Sequence, residues 1–273
     1  MNQTSTTSKQ FNGLIDTHCH IHDDEYPLDA EKSLAEANSQ GVGGVICVGT
    51  DYKFSKQAID FAEVHDGAWA SVGLHPHDAS KREDEMQKLE LLANADSVIA
   101  IGECGLDYYY DNSPRDTQKA VLEQHFSIAT AHGLPMIFHI RGKNPDSSDA
   151  YSDFWEIYDR HKPAGVIHSF SAHQQQLSEA LSRGLFIGVN GIATFMNEGE
   201  QLDAIKSIPN KSLVLETDAP LLTPAPYRGQ PNQPKHINTI LAFLSNLRGE
   251  DEAELAKATS QNAAKLFGLK HEL

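Results

Sequence analysis

The sequence predicts an α/β chain folded as a (β/α)8 TIM barrel, with a metal site at the C-terminal ends of its strands. Three observations predict it. Short apolar runs alternate with helical stretches about eight times, the number of βα units that closes such a barrel. Five of the runs end in metal-competent side chains: Leu14–His20, Val98–Glu103, Met136–His139, Gly165–His168 and Leu213–Asp218. A chain of 273 residues is also an ordinary length for one α/β barrel. An open doubly wound sheet would gather ligands only at a switch point between strands. Ligand types at the ends of five runs suit a closed ring better.

The elements follow in order. The first dozen residues are rich in Ser, Thr, Gln and Asn and lack an apolar core, so 1–12 read as a disordered tail rather than a signal peptide. Residues 13–273 then form a single domain. After the first strand, Glu31 to Gln40 is helical and Gly41 stops it. Val42 to Val48 is the second strand, and Phe54, Ala58, Phe61 and Ala62 form an apolar stripe at helical spacing. Trp69 to Leu74 is the third strand, Glu83 to Asn94 a helix and Val98 to Glu103 the fourth strand. Leu122, Phe126 and Ala129 mark a helix that Gly133 ends, before a fifth strand from Pro135 to Arg141. A helix around Phe154 to Arg160 leads to the sixth strand, Ala164 to Phe170. Leu177 and Leu181 share a helix face that Gly184 closes, and Leu185 to Asn190 is the seventh strand. Leu213 to Asp218 is the eighth. Ile237, Ile240, Leu241 and Leu244 stripe one closing helix, and Leu255 to Phe267 forms the other. Two loops are placed at the mouth, the polar Gly142 to Ala150 and the Pro-rich Leu221 to His236.

Composition narrows the function classes. The net charge of −16 argues against a broad basic footprint for duplex nucleic acid, yet a few local Arg and bound metals can still set the field at one site. No apolar stretch reaches the roughly 18 residues of a membrane span. The three Cys (Cys19, Cys47, Cys104) have no C-x-x-C spacing, which excludes a thiolate zinc site and a disulfide framework and fits a reduced, cytoplasmic setting. Cys19 and Cys104 each follow a candidate ligand, so strand alternation turns them outward as small hydrophobes.

His18 and His20 form an H-x-H pair whose side chains share a strand face, so both imidazoles can approach one ion. Glu103 has two oxygens with which to bridge two ions, His139 and His168 can hold a second, and Asp218 can join the first while touching a bound water. Imidazoles mixed with carboxylates suit Zn, Mn or Fe better than Mg, and two ions together activate a water and clamp a displaced ester. Glu216 shares the face of Asp218 and either orients a ligand or pairs inside the barrel. The nine remaining His, His65, His125, His132, His161 and His173 among them, read as surface or packing residues.

Arg141 has the parity of His139 and therefore points to the mouth, where with Arg228 and Arg115 it could grip a phosphate. For Arg115 a solvated rim charge is an equal reading. Tyr108, Tyr109 and Tyr110 either stack on a base or pack.

From Asp16 to Phe267 the residues resemble the TatD-type metal-dependent deoxyribonucleases of the amidohydrolase superfamily. The motifs that carry the resemblance are Asp16-Thr17-His18-Cys19-His20, Gly73-Leu74-His75-Pro76-His77 and Gly102-Glu103-Cys104-Gly105-Leu106-Asp107-Tyr108. They continue with His139-Ile140-Arg141, His168-Ser169-Phe170-Ser171 and Glu216-Thr217-Asp218-Ala219-Pro220-Leu221. The resemblance implies a distorted (β/α)8 TIM barrel with a two-metal site in which His18, His20 and Asp218 hold one ion, His139 and His168 the other, and Glu103 both. It implies that His75 lies near the substrate phosphate, and that Arg228, Asn232 and Pro234 belong to the family's closing R-G-x-x-N-x-P segment. His22, Ala172 and Gln230 depart from the family's usual Asp, Gly and Lys without removing an implied ligand.

The expected function is hydrolysis of phosphodiester bonds, as a 3′→5′ exodeoxyribonuclease on single strands that uses two divalent ions (Zn, Mn or Mg) and Asp218 as general base. DNA strand ends or another phosphodiester are the expected substrate, with no membrane and no obligate protein partner. Two rival readings are an amidohydrolase-type enzyme cleaving an amide, lactone or small ester, and a non-catalytic protein that keeps the metal site as a structural element.

Overall fold

A computed structural model describes residues 9–144 and 147–272. Eight parallel strands form one sheet in sequential order: β2 (Leu14–Cys19), β3 (Val42–Val48), β4 (Ala68–Val72), β5 (Val98–Asp107), β6 (Met136–Arg141), β7 (Gly165–Ile167), β8 (Phe186–Val189) and β9 (Leu213–Leu215). The helices between them are α1 (Ala30–Ser39), α2 (Tyr52–Val64), α3 (Arg82–Leu92), α4 (Arg115–His132), α5 (Asp149–His161), α6 (Gln174–Ser182) and α7 (Glu200–Lys206), followed by α8 (Ile237–Arg248) and α9 (Glu252–Phe267). The ring closes just beyond β9 rather than by a full ladder. Asp218 N–H donates to His18 O at 2.8 Å and His20 N–H to Ala219 O at 2.7 Å.

Strand alternation divides the core in two. Ile15, Ile46, Trp69, Ile99, Ile137, Val166, Phe186 and Val214, from all eight strands, fill the barrel interior together with Phe11 and α9's Leu266 and Phe267. Their sequence neighbours, such as Val45, Phe138, Ile167 and Leu213, pack against the helix layer. The helix starts are fixed locally: Asp29, Asp51 and Asp251 each accept a backbone N–H from the first turn of α1, α2 and α9.

Several boundaries differ from the sequence reading. Residues 1–8 of the expected tail lie outside the described residues, but Gln10–Asn12 is a strand, β1, paired in parallel with β10 (Lys270–Glu272). Buried Phe11 explains the order, since its ring meets Trp69 edge-on at 6.0 Å and stacks on His271 at 4.7 Å. The sixth and eighth strands stop short of their expected ends because the chain turns into the mouth, with Ser169 and Asp218 at φ +51° and +59°. Helix α5 begins at Asp149, inside the expected polar loop, and residues 145–146 of that loop lie outside the described residues. The short α7, carried by buried Leu202, Ala204 and Ile205, was not evident from periodicity.

Candidate metal centre

Simple alternation aims four of the side chains. Ile137, Val166 and Val214 face inward, so His139, His168, Glu216 and Asp218 follow at the same parity and meet at the mouth. His18 and Glu103 need more than alternation. Ile15 faces inward, as does Ala100 past a first register shift in β5, so unbroken alternation from them would turn His18 and Glu103 out. The ladder shifts register between Asp16 and Cys19 and again in β5 between Ile101 and Cys104. Such irregularities re-aim side chains beside active sites. They bring His18, His20 and Glu103 inward and leave Cys19 and Cys104 fully buried on the helix side, as expected. Gly105 is required by close approach: a Cβ there would lie 1.8 Å from the His139 carbonyl oxygen.

All six expected ligands converge. His18 Nε2 lies 3.2 Å from His20 Nε2, 3.4 Å from Glu103 Oε2 and 3.5 Å from Asp218 Oδ1. His20 Nε2 is 3.3 Å from the same Asp218 oxygen. On the other side of Glu103, Oε1 stands 2.9 Å from His139 Nδ1 and 3.7 Å from His168 Nε2. Glu103 thus has one oxygen toward each group, and two candidate triplets, His18–His20–Glu103 and His18–His168–Asp218, share His18.

Two of the outer nitrogens are fixed by hydrogen bonds, which sets those tautomers. His20 Nδ1–H donates to Val48 O at 2.9 Å, so Nε2 presents a lone pair to the cluster. His139 Nε2 is held by Asp107 Oδ2 at 2.9 Å, freeing Nδ1 toward Glu103. His168 Nδ1 lies 3.1 Å from Glu216 Oε1, and that carboxylate accepts the Ser169 N–H. Imidazole nitrogens and carboxylate oxygens therefore face one another at 2.9–3.7 Å, a donor set that a divalent cation satisfies by displacing the protons held between them. The donor set fits the implied metal.

His75 differs. Its Nδ1 accepts the His77 N–H at 3.2 Å, and burial pushes its pKa down to about 4. The neutral ring then carries its proton on Nε2, 3.5 Å from Glu103 Oε1. Although His75 groups spatially with Glu103 and His139, this tautomer makes it a donor suited to an oxyanion rather than a ligand.

The electrostatics follow from this packing. Burial raises the Glu103 and Asp218 carboxyls, but the facing imidazoles outweigh it and hold both below their ordinary values. Burial lowers His168, yet Glu216 and Glu103 bring it up to about 10. His18, by contrast, is lowered, chiefly by burial and then by His168.

Sequence reasoning missed three residues. Asp16 accepts N–H groups from His18 and Thr217 and the Thr217 hydroxyl, tying β2 to the segment after β9. Asp107 accepts from His77 and His139, and His77, read as a surface or packing residue, lines the cavity. The signal for Asp107 was its even spacing from Glu103 on one strand; Asp16 precedes the H-x-H pair at the same interval.

Over the cluster opens a cavity of about 730 Å³, lined by His75, Asp107, Tyr109, Tyr110, Arg141 and Leu221 among others. Arg141 reaches it as expected, with its guanidinium 4.2 Å above the Tyr109 ring. Arg228 lies over Phe195 and is not among the residues that line the cavity. Arg115 sits over buried Tyr108 and pairs with Asp149, so it is a structural rim charge. Asn232 is fully buried and locks the loop after β9, donating to Thr217 O and Leu221 O. None of the described helices is long and apolar enough to cross a membrane.

Residues 15–268 match the family model described as TatD related DNase. The chain is 31% identical over 93% of its length to the "Uncharacterized metal-dependent hydrolase YabD" of Bacillus subtilis, covering 98% of that protein. It is 34% identical to the "3'-5' ssDNA/RNA exonuclease TatD" of Citrobacter rodentium, over 94% of this chain and 98% of that one. The crystal structure of YJJV, a TatD homolog from Escherichia coli, superposes with a TM-score of 0.86 at 31% identity, covering 94% and 98% of the two chains.

Proposed function

The chain belongs to the TatD-related DNase family, metal-dependent hydrolases acting on ester bonds, and we propose that it removes nucleotides stepwise from the 3′ end of single-stranded nucleic acid. One observation supports this most: Glu103 lies between two sets of inward-facing imidazole nitrogens at the floor of a cavity rimmed by donors from His75 and Arg141. His18, His20, Glu103 and Asp218 would hold one divalent ion, and Glu103, His139 and His168 a second. Bound there, Zn, Mn or Mg supplies Lewis acidity to the phosphoryl group and lowers the pKa of water.

The chain's own residues do the rest. Asp218, kept ionised by the surrounding imidazoles, accepts the proton of the attacking water. His75 donates its Nε2–H to a phosphoryl oxygen, and Arg141 adds bidentate donors from the rim. Glu216 positions His168, and Asp107 positions His139. Arg228, beside Phe195 at the outer rim, would meet the strand beyond the scissile phosphate. A cavity of about 730 Å³ admits a strand end more readily than a duplex, and the polarity is taken from the named exonuclease relatives.

Purified protein supplied with each metal in turn, and given 5′-labelled single strands, should produce a descending ladder on a gel. A closed single-stranded circle should resist, and Arg141→Ala should raise KM with metal content unchanged. Ready cutting of the circle with no ladder would sink the exonuclease reading, and turnover of small carboxylic esters alone would replace it with the amidohydrolase one.

A further inference from the structure

Two tyrosines at the cavity mouth are left half in solvent. Tyr108 is buried and hydrogen-bonded to Asp153, whereas Tyr109 and Tyr110 are 52% and 54% exposed. Contiguous exposed apolar surface marks ligand-binding grooves on soluble proteins, and both of these adjacent rings line the cavity. Their rings meet edge-to-face, 4.9 Å apart at 84°, so one offers a face where the other offers an edge. The Arg141 guanidinium lies 4.2 Å from the first ring and 5.0 Å from the second. The His77 ring closes the inner side, 5.1 Å from Tyr110.

The platform is also fixed in position. Asp107 Oδ1 accepts the backbone N–H of Tyr109 at 3.0 Å and of Tyr110 at 2.9 Å. Its other oxygen accepts from His77 and His139 at 3.0 and 2.9 Å. One carboxylate therefore sets the distance between the two rings and a member of the candidate metal cluster.

We infer that Tyr109 and Tyr110, with Arg141 against them, form a stacking subsite for one unpaired nucleobase of the strand whose end lies at the metal cluster. Every base has a π face, so such a subsite tolerates any sequence. It requires the base to be unpaired, because in a duplex both faces are covered by neighbours. Arg141 joins the two functions, neutralising a phosphate while its planar group covers a ring. The inference deepens the proposed nuclease reading and rests on it for the choice of ligand.

The test uses two arms. In the binding arm, single strands carrying 2-aminopurine at successive positions from the 3′ end are titrated with wild-type protein and with the Tyr109→Ala/Tyr110→Ala variant. Stacking should quench the probe at one position with wild type and not with the variant, while Tyr109→Phe/Tyr110→Phe should restore the quench. In the turnover arm, replacing that nucleotide by an abasic propanediol spacer should raise KM about tenfold for wild type and leave the alanine variant unchanged, within the range expected for one stacked base. Equal quenching by wild type and alanine variant, or an equal spacer penalty in both, overturns the subsite. Loss of quenching in the variant together with no strand cleavage under any metal would keep the subsite and discard the nuclease reading.

Discussion

Glu216 Oε1 stands 3.1 Å from His168 Nδ1, and the carboxylate fits there only because residue 188 is glycine. A Cβ at Gly188 would fall 2.3 Å from Glu216 Oε2. Gly188→Ala should therefore displace the carboxylate and reproduce the effect of Glu216→Gln, a 10–100-fold loss in metal affinity or activity typical of groups that orient a ligand. Metal titration with each variant checks this. Full affinity in Gly188→Ala would show that Glu216 does not position His168.

Glu103→Ala should abolish turnover and lower metal content, since one oxygen faces each set of nitrogens. Elemental analysis of the purified variant is the measurement, and unchanged occupancy would remove Glu103 from the centre.

Asp218→Asn keeps the shape of the side chain but loses its basicity. Turnover should fall ~10²–10⁴-fold with substrate KM little changed, measured on protein whose metal content has been matched to wild type. A near-normal rate would assign the base elsewhere.

The Asn232 side chain makes four hydrogen bonds, to Thr217 O and Leu221 O and from Gln233 N–H and His236. Asn232→Ala leaves those groups unpaired beneath the mouth, at a cost of about 1–3 kcal/mol for each one left buried. Calorimetry should record a Tm lowered by several degrees. An unchanged Tm would mean that the loop is not held by this side chain.

His125 sets a pH dependence of stability away from the centre. Its Nδ1–H donates to Val121 O and its Nε2 accepts the Leu74 N–H, so only the neutral ring fits. Burial pushes its pKa from 6.5 down to about 4. The stability it supports is complete above pH 6.5 and is lost as pH falls toward 4, roughly 3 kcal/mol in all. Urea denaturation at pH 7 and pH 4.5 should show that loss, and His125→Gln should flatten it.

The barrel and the six converging ligands were legible because both are written in local pattern. Apolar runs end in ligand types, and parity alone aims His139, His168 and Asp218. What was not legible depends on breaks in that pattern or on distant partners. The register shifts that turn His18 and Glu103 inward leave no mark in hydrophobic alternation. Asp107 and His77 sit on different elements and matter through each other. Nor could the sequence tell whether Phe11 belonged to a tail or a strand, since its partner His271 lies at the far end of the chain.

Asp107 grips the aromatic rim through the backbone N–H groups of residues 109 and 110 and never through their side chains. Position is thereby separated from identity. Any residue but proline can occupy those two places without breaking the hydrogen bonds of Asp107 to His77 and His139, so substrate preference is free to drift during evolution while the hydrolytic machinery stays constant. A library randomised at these two codons should yield folded, metal-loaded enzymes of altered selectivity, whereas variation at Asp107 itself would couple both properties and be purged.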